Sequence, residues 1–546
     1  MKVFSKITLL LCLAISVGCQ DFLEENPKNL LTVDDIPHTV EGAEKLVFAA
    51  YENWTEGTKL YARWMPLWEI GTDNMAPQEL YSTVVAPYVT HTLTATEQFM
   101  YTGVWGPLWQ GVADANNAID LISAITEISE EEKAPIIGEA LFMRALYYYH
   151  LVRMWGDQPI FLESVNSLTA IKVAERQSVE EVYEQVIIPD LIEAADLLPG
   201  SYTGDDIGRM TKWSAKVVLA EVYLTRAGWR RTSQGQMVQG DAKYYELAQD
   251  AAWEVIQNPD GFDIHTSFIG TEPAYARPWL EAFSSESLVE FGNLAGMGIG
   301  AEGEGLYLVS EVLMARQNLF WGNSPEVNSS PLSGGKRGFY IPTPDFFRTF
   351  EAGDERKEWG LLSKTTMADG STGYTNPVFR KWADPAIYNG NDGVIDNDGE
   401  NNIVLYRVAD ALLIYAEAVN EVNGAPTAQA YAQINRLRNR AGLGDLPLGL
   451  DYEGFKKVVW QERRVELHAE CKRKFDLIRT NRLLEESNTR DVYYSSSDNP
   501  DYLGATVIND ILVNAPVTTY PAHEHLWPIP VDEMTLNKSW VQNDGY

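Results

Sequence analysis

Cysteine is nearly missing from this chain. Cys12, Cys19 and Cys471 are the three in 546 residues. Cysteines so few and so far apart build neither a disulfide framework nor a zinc cluster. Cys471 sits in a helical pattern and reads as a structural thiol. Positive charge is scarce too: 43 Lys and Arg stand against 77 Asp and Glu, for a formal net charge of −34. That acidity excludes nucleic acid and an anionic membrane surface as partners. Long apolar runs are absent beyond the first seventeen residues, and a membrane span needs roughly 18 apolar residues in a row.

Motifs of catalysis and of cofactor binding are missing or incomplete. There is no GxSxG nucleophile elbow. Gly334-Gly335-Lys336 lacks the Ser or Thr that a phosphate loop uses to hold magnesium. Gly298, Gly300 and Gly303 match a dinucleotide fingerprint, but no parallel strand–helix–strand unit surrounds them. His523 and His525 stand two apart rather than at the i, i+4 spacing of a zinc helix. The acidic loop 389–402 fails as an EF-hand, because Val394 and Leu405 fall at ligand positions. No cofactor and no metal is therefore expected. Paired carboxylates of a glycosidase stay open, since 77 acidic residues allow many pairs.

Two things are plentiful: helical periodicity and aromatic residues. In GEALFMRALYYYHLVRMWGDQPIF (138–161), Ile137, Leu141, Ala145, Tyr148, Val152 and Trp155 form one apolar stripe. Ala140, Tyr147, Leu151 and Met154 form a second beside it. A helix apolar on nearly every side packs between other helices. Further helices are expected at 41–54, 107–125, 178–198, 211–228, 241–257, 403–422, 427–442 and 452–480. The pair WSAKVVLAEVYLTRAG and YYELAQDAAWEVI places Ala and Tyr as a tetratricopeptide (TPR) pair does. Residues 71–101 and 260–402 are different: Gly, Pro, Asn and Trp rise and periodicity fades, with segments such as SLVEF able to form strands. The charges on 452–480 (Glu462, Arg463, Arg464, Glu466, Arg473, Asp476, Arg479) are spaced for ion pairs along one helix.

At the amino terminus, Lys2 and Lys6 precede an apolar run from Ile7 to Val17 and then Gly18-Cys19. This resembles a lipoprotein signal peptide of residues 1–18 with Cys19 as the acylated first residue. Asp21, Glu24 and Glu25 resemble a surface-export signal.

Several blocks then resemble, in order, the SusD/RagB family of nutrient-binding lipoproteins. They are the helix at 138–161, YRVADALLIYAEA, INRLRNRAGL, ERRVELHAECKRKFDLIRT and LWPIP…E…QNDGY. The chain departs from the family pattern at Ala469-Glu470-Cys471-Lys472. The resemblance implies a mostly α fold: a right-handed stack of TPR-like helix pairs with a large loop-rich region packed on it. Residues 19–546 would be a single domain, with TPR-like helices within 40–260 and 403–480. The variable region would be 260–402 and an irregular segment 481–546. It implies binding rather than catalysis, at the outer membrane and facing outward. A glycan oligomer would be captured and passed to a TonB-dependent transporter of the SusC type. The alternatives are a peptide ligand, a lid or scaffold that binds nothing, and a surface glycosidase.

Aromatic faces stack on the C–H face of a sugar while a few polar groups fix its hydroxyls. Variable recognition belongs on long loops. The expected ligand surface is therefore built jointly by 71–101 and 260–400. Asp73, Asn74, Tyr81, Tyr275, Trp279, Tyr307 and Trp321 are its candidates, and Trp279 is the expected stacking platform.

Overall fold

The computed structural model describes residues 37–55, 65–77, 86–165, 168–292, 340–366, 372–381, 402–490 and 519–546. Cys19 and its leader, Tyr81, Tyr307, Trp321, both glycine motifs and nearly all of the acidic loop lie outside them. The longer helices are α1 (Val40–Thr55), α2 (Gly106–Ala124), α3 (Glu130–Trp155), α4 (Ile188–Leu197), α5 (Lys212–Ala227) and α6 (Lys243–Ile256). After the loop-rich region come α7 (Val408–Asn423), α8 (Ala428–Arg440), α9 (Tyr452–Glu466) and α10 (Arg473–Arg479).

From α2 to α6 each helix packs on the next, α1 lies on α2 and α3, and α6 packs directly on α7. The residues from 257 to 407 are thus an insertion between neighbours in one stack of TPR-like pairs. A continuous apolar core runs from Ala50 in α1 to Trp540 near the C-terminus.

The central helix α3 starts at a capping box, Ser129 with Glu132, which satisfies two otherwise orphaned amides. It ends at Gly156, whose φ of 75° suits a residue without a side chain. Tyr147, Tyr148 and Tyr149 are all fully buried. Each hydroxyl has a partner: Tyr147 donates to the Ala50 carbonyl, Tyr148 accepts from the Phe161 amide at 2.8 Å, and Tyr149 bonds Thr225 Oγ1 at 2.7 Å. Gly111 on α2 makes room for one of them, since a Cβ there would stand 2.2 Å from the Tyr147 ring. Three consecutive tyrosines pointing in three directions explain why the helix is buried all round.

Three expectations need correction. Ile403–Arg407 is not the start of a helix but a strand, β8, paired antiparallel with β4 (Ser287–Phe291). A continuous apolar run fits a buried strand or a buried helix equally well. The stretch 452–480 is not continuous either. It breaks between α9 and α10, where Ala469 (φ 57°) and Cys471 (φ 60°) take left-handed backbone conformations. Cys471 is buried there in a turn. The region 178–198 is also interrupted, by a π-helical turn at Tyr183–Ile187.

Candidate functional site

After α1 the next described residues form the 3₁₀ turn Met65–Trp68 and then a short strand, β1 (Met75–Pro77), within the expected irregular segment 71–101. β1 pairs antiparallel with β5 (Tyr340–Pro342) from the far end of the insertion, Met75 facing Pro342 and Ala76 facing Ile341. Thr343, just after β5, donates its amide to the Asn74 carbonyl at 2.9 Å and its hydroxyl to the Asp73 carbonyl. The two irregular segments, far apart in sequence, therefore meet. Beside them lies the hairpin of β6 (Leu361–Thr366) and β7 (Thr372–Phe379), and β7 packs against β5.

What holds the joint is charge. The Asp73 carboxylate takes both arms of Arg473, at 2.9 and 2.6 Å, and Nη2 of Arg464 at 3.0 Å. Arg464 also donates Nε to Asn74 Oδ1 at 2.8 Å. Burial alone would raise the Asp73 pKa, but the two guanidiniums hold it well below the usual carboxylate range. Glu69 lies behind them and accepts the Cys471 amide at 3.0 Å. Among the described residues no cation pairs with it, and burial pushes it up to about 7.

A second buried cluster ties the insertion to α8 and α9. Arg407 reaches Glu286 at 2.8 Å, Glu466 at 2.7 Å and Glu470 at 2.8 Å. Arg440 joins Glu286 and Glu466. Arg356 reaches Asp354 and Glu462, each at 2.8 Å, and Lys381 reaches Glu470 at 2.6 Å. Most of the charges expected to pair along one helix instead pair between elements. Only Arg479 with Asp476 keeps the i, i+3 pattern among the described charges of that group.

These pairs set a pH response. Burial raises the Glu470 pKa, yet Arg407 and Lys381 overcome it and hold the group at about 2 against an ordinary 4.5. Between pH 4.5 and 2 the unfolded chain takes up this proton and the folded one does not, so stability falls as pH drops through that window. A shift of that size is worth about 3 kcal/mol. Glu69 acts oppositely: its contribution is full below pH 4.5 and is lost as pH rises to about 7. Asp73, Glu466 and Asp476 are held low by buried arginines as Glu470 is, and together these four outweigh Glu69, so urea unfolding should give a free energy several kcal/mol lower at pH 3 than at pH 6. A flat profile over that range would show that the carboxylates are not paired as described.

The candidate residues divide by depth. Asp73, Asn74 and Tyr275 are buried, and Trp279 is 7 % exposed. Tyr275 donates its hydroxyl to the Glu466 carbonyl at 3.2 Å, and Lys381 lies 5.1 Å from the centre of the Trp279 ring. This corrects the expectation of an accessible surface at these four positions. All four lie in the packed interior, because loop texture in a sequence does not report depth. Trp279 is not a platform but a packed ring, so Trp279→Phe should lower stability by roughly 2 kcal/mol, at about 0.8 kcal/mol per buried carbon removed. A melting curve matching the wild type would return Trp279 to the surface. Tyr81, Tyr307 and Trp321 lie outside the described residues. An exposed aromatic that the sequence reading passed over is Phe268, 61 % accessible on the loop before Tyr275. Attention to Trp and Tyr alone missed it.

Among the described residues no three His, Cys, Asp or Glu side chains converge as metal ligands. His525 is buried, and that burial lowers its pKa to about 4.

Comparison with known proteins agrees with this architecture. Residues 336–546 match the family model described as "SusD family", and residues 21–224 match one described as "Starch-binding associating with outer membrane". A SusD-like protein of Formosa agariphila is 24 % identical, with 100 % of this chain and 99 % of the relative aligned. The crystal structure of a SusD homolog from Bacteroides thetaiotaomicron superposes with a TM-score of 0.73 at 21 % identity, covering 94 % of this chain and 98 % of the other. A laminarin-binding SusD-like protein gives 0.68 at 22 % identity, over 93 % and 99 %. With family matches on both sides of the insertion and a relative aligned end to end, the chain belongs to the SusD/RagB family.

Proposed function

We propose that this protein is an outer-membrane lipoprotein, anchored through Cys19 and facing the cell exterior, that binds a glycan oligomer without cleaving it. The bound oligomer is handed to a TonB-dependent transporter of the SusC type. Residues 19–546 act as one domain, in which the helical stack is the base and the loops carried by 71–101 and 260–402 are the reader. The observation that carries this is the joint itself. The β1–β5 ladder and the Asp73–Arg473 pair bring two distant loop-bearing segments to one place and fix their roots. A rigid scaffold beneath variable loops is the arrangement that recognition uses. A similar protein whose name states that it binds laminarin supports a sugar as the ligand class.

The test is a panel of purified glycans and peptides against the mature protein, with product analysis after long incubation. Retention on one class of glycan, with no new products, is the expected outcome. Retention on peptides alone moves the reading to a peptide carrier, and release of shorter sugars makes it an enzyme. The anchor is tested separately. Cys19→Ala should leave the melting temperature unchanged and shift the protein to the soluble fraction, because the acyl chains supply about 0.8 kcal/mol per buried CH₂ of membrane affinity. Salt-resistant recovery with membranes would exclude Cys19 as the anchor.

A further inference from the structure

Away from the loop joint, a cavity of about 210 Å³ lies where the end of α3, the end of α5 and α10 converge, beneath a hairpin of β2 (Trp229–Arg231) and β3 (Met237–Gln239). Its lining includes Arg153, Arg226, Arg230 and Arg231, in a chain of net charge −34.

Glu180 and Asp241 line the cavity as well, and the carboxylates paired with Arg226, Arg230 and Arg231 are solvent-exposed. Arg230 pairs with Glu180 and Arg231 with Asp544, whose side chains are 46 % and 52 % exposed. Arg226 is 9 % exposed and touches Glu184, 60 % exposed, at 3.4 Å. Its Nη1 has no hydrogen-bond partner among the described residues. Its guanidinium instead lies 4.3 Å from the centre of the Tyr244 ring.

Arg153 goes further. The sequence places it four residues from Asp157, but no ion pair forms between them: Asp157 Oδ1 accepts the Val179 amide. The Arg153 guanidinium is held between the rings of Tyr149 and Phe475, at 3.9 and 4.1 Å. One arm contacts the ring of His150 at 2.9 Å, a ring that burial and Arg153 itself keep neutral. Nε has no partner among the described residues. Glu221, whose charge acts on it, is engaged by Arg463. The Tyr183 hydroxyl sits within the field of Arg153, Arg226 and Arg230 and stays protonated, burial pushing it up to about 12. It is therefore a donor.

We infer that this cavity is a binding site for a small oxyanion, a carboxylate or sulfate group, held by Arg153 Nε, Arg226 Nη1 and the Tyr183 hydroxyl. A buried cation without a carboxylate carries a desolvation cost that an anion offsets. A guanidinium's planar donors match an oxyanion's geometry. The site is independent of the proposed glycan reading, because none of its residues belongs to the loop joint.

The experiment uses the mature protein with sodium sulfate, sodium acetate and sodium glucuronate, each against sodium chloride at matched ionic strength. Sulfate or acetate should raise the melting temperature by several degrees and bind with a measurable Kd, which marks a site for free oxyanions. An effect of glucuronate alone marks a site for an acidic sugar. Arg226→Gln should weaken the binding at least tenfold while leaving neutral-glycan affinity unchanged. No stabilisation by any of the three anions, or undiminished binding in Arg226→Gln, overturns the inference. Should that variant fail to fold, crystals of the wild type soaked in selenate decide. Anomalous density within hydrogen-bond distance of Arg153 Nε upholds the site, and its absence removes it.

Discussion

Arg407→Ala is expected to leave no cooperatively folded protein at 25 °C. Arg407 is fully buried and bonds three fully buried carboxylates, Glu286, Glu466 and Glu470, from two distant parts of the chain. It also donates to the Glu466 carbonyl at 2.9 Å. Removing one partner from a buried ion pair typically costs about 3–5 kcal/mol, since the other charge stays buried without compensation. Here three acids lose a shared cation. Arg440 and Lys381 would still face them, so their charge is not wholly unopposed. The loss nonetheless reaches the about 5–15 kcal/mol that a domain has in total. Arg407→Lys keeps the charge but not the planar fork that spans several carboxylates at once, and should fall between. Circular dichroism melting decides, and an Arg407→Ala protein melting sharply within a few degrees of the wild type would show the cluster to be unimportant for stability.

That cluster also marks where the sequence stops being readable. The helices of the stack were legible because apolar spacing is local: α3, α5 and α6 each carry their own stripe. The strand β8 was not, because IVLYR is apolar at four of five positions and no period survives in it. The turn between α9 and α10 was hidden for another reason. It contains neither Gly nor Pro, and its left-handed Ala469 and Cys471 are sustained from a distance. Glu69 receives the Cys471 amide, and Glu470 is drawn inward by Arg407 and Lys381. The same holds for the charges of ERRVELHAECKRKFDLIR. Their spacing suggested neighbours on one helix, while their partners stand 62 residues away (Glu417 to Arg479) or 400 (Asp73 to Arg473). At the loop joint, composition located the segments but not the depth. Asp73 and Tyr275 carry the polar and aromatic chemistry that suits a ligand, and that chemistry is spent on the protein's own core.

Asp73→Ala is therefore expected to act as a loss of support rather than of contact. The carboxylate is the point where the turn before β1 is fastened to α9 and α10, through Arg464 and Arg473. Truncation leaves both guanidiniums buried with one counter-charge fewer, at a cost of about 3–5 kcal/mol. It also frees the residues whose carbonyls Thr343 engages, so the β1–β5 ladder loses its anchor. The roots of the two segments would be less fixed, and binding would have to supply the ordering that the ladder now gives them. Glycan affinity should thus fall by tenfold or more alongside a clear drop in melting temperature. Asp73→Asn separates the two effects. It keeps the shape and one acceptor oxygen but not the charge, so stability should suffer more than affinity at a temperature where the variant is folded. If Asp73→Ala loses affinity while melting like the wild type, the side chain touches the ligand directly and the buried pair with Arg473 is not its resting state.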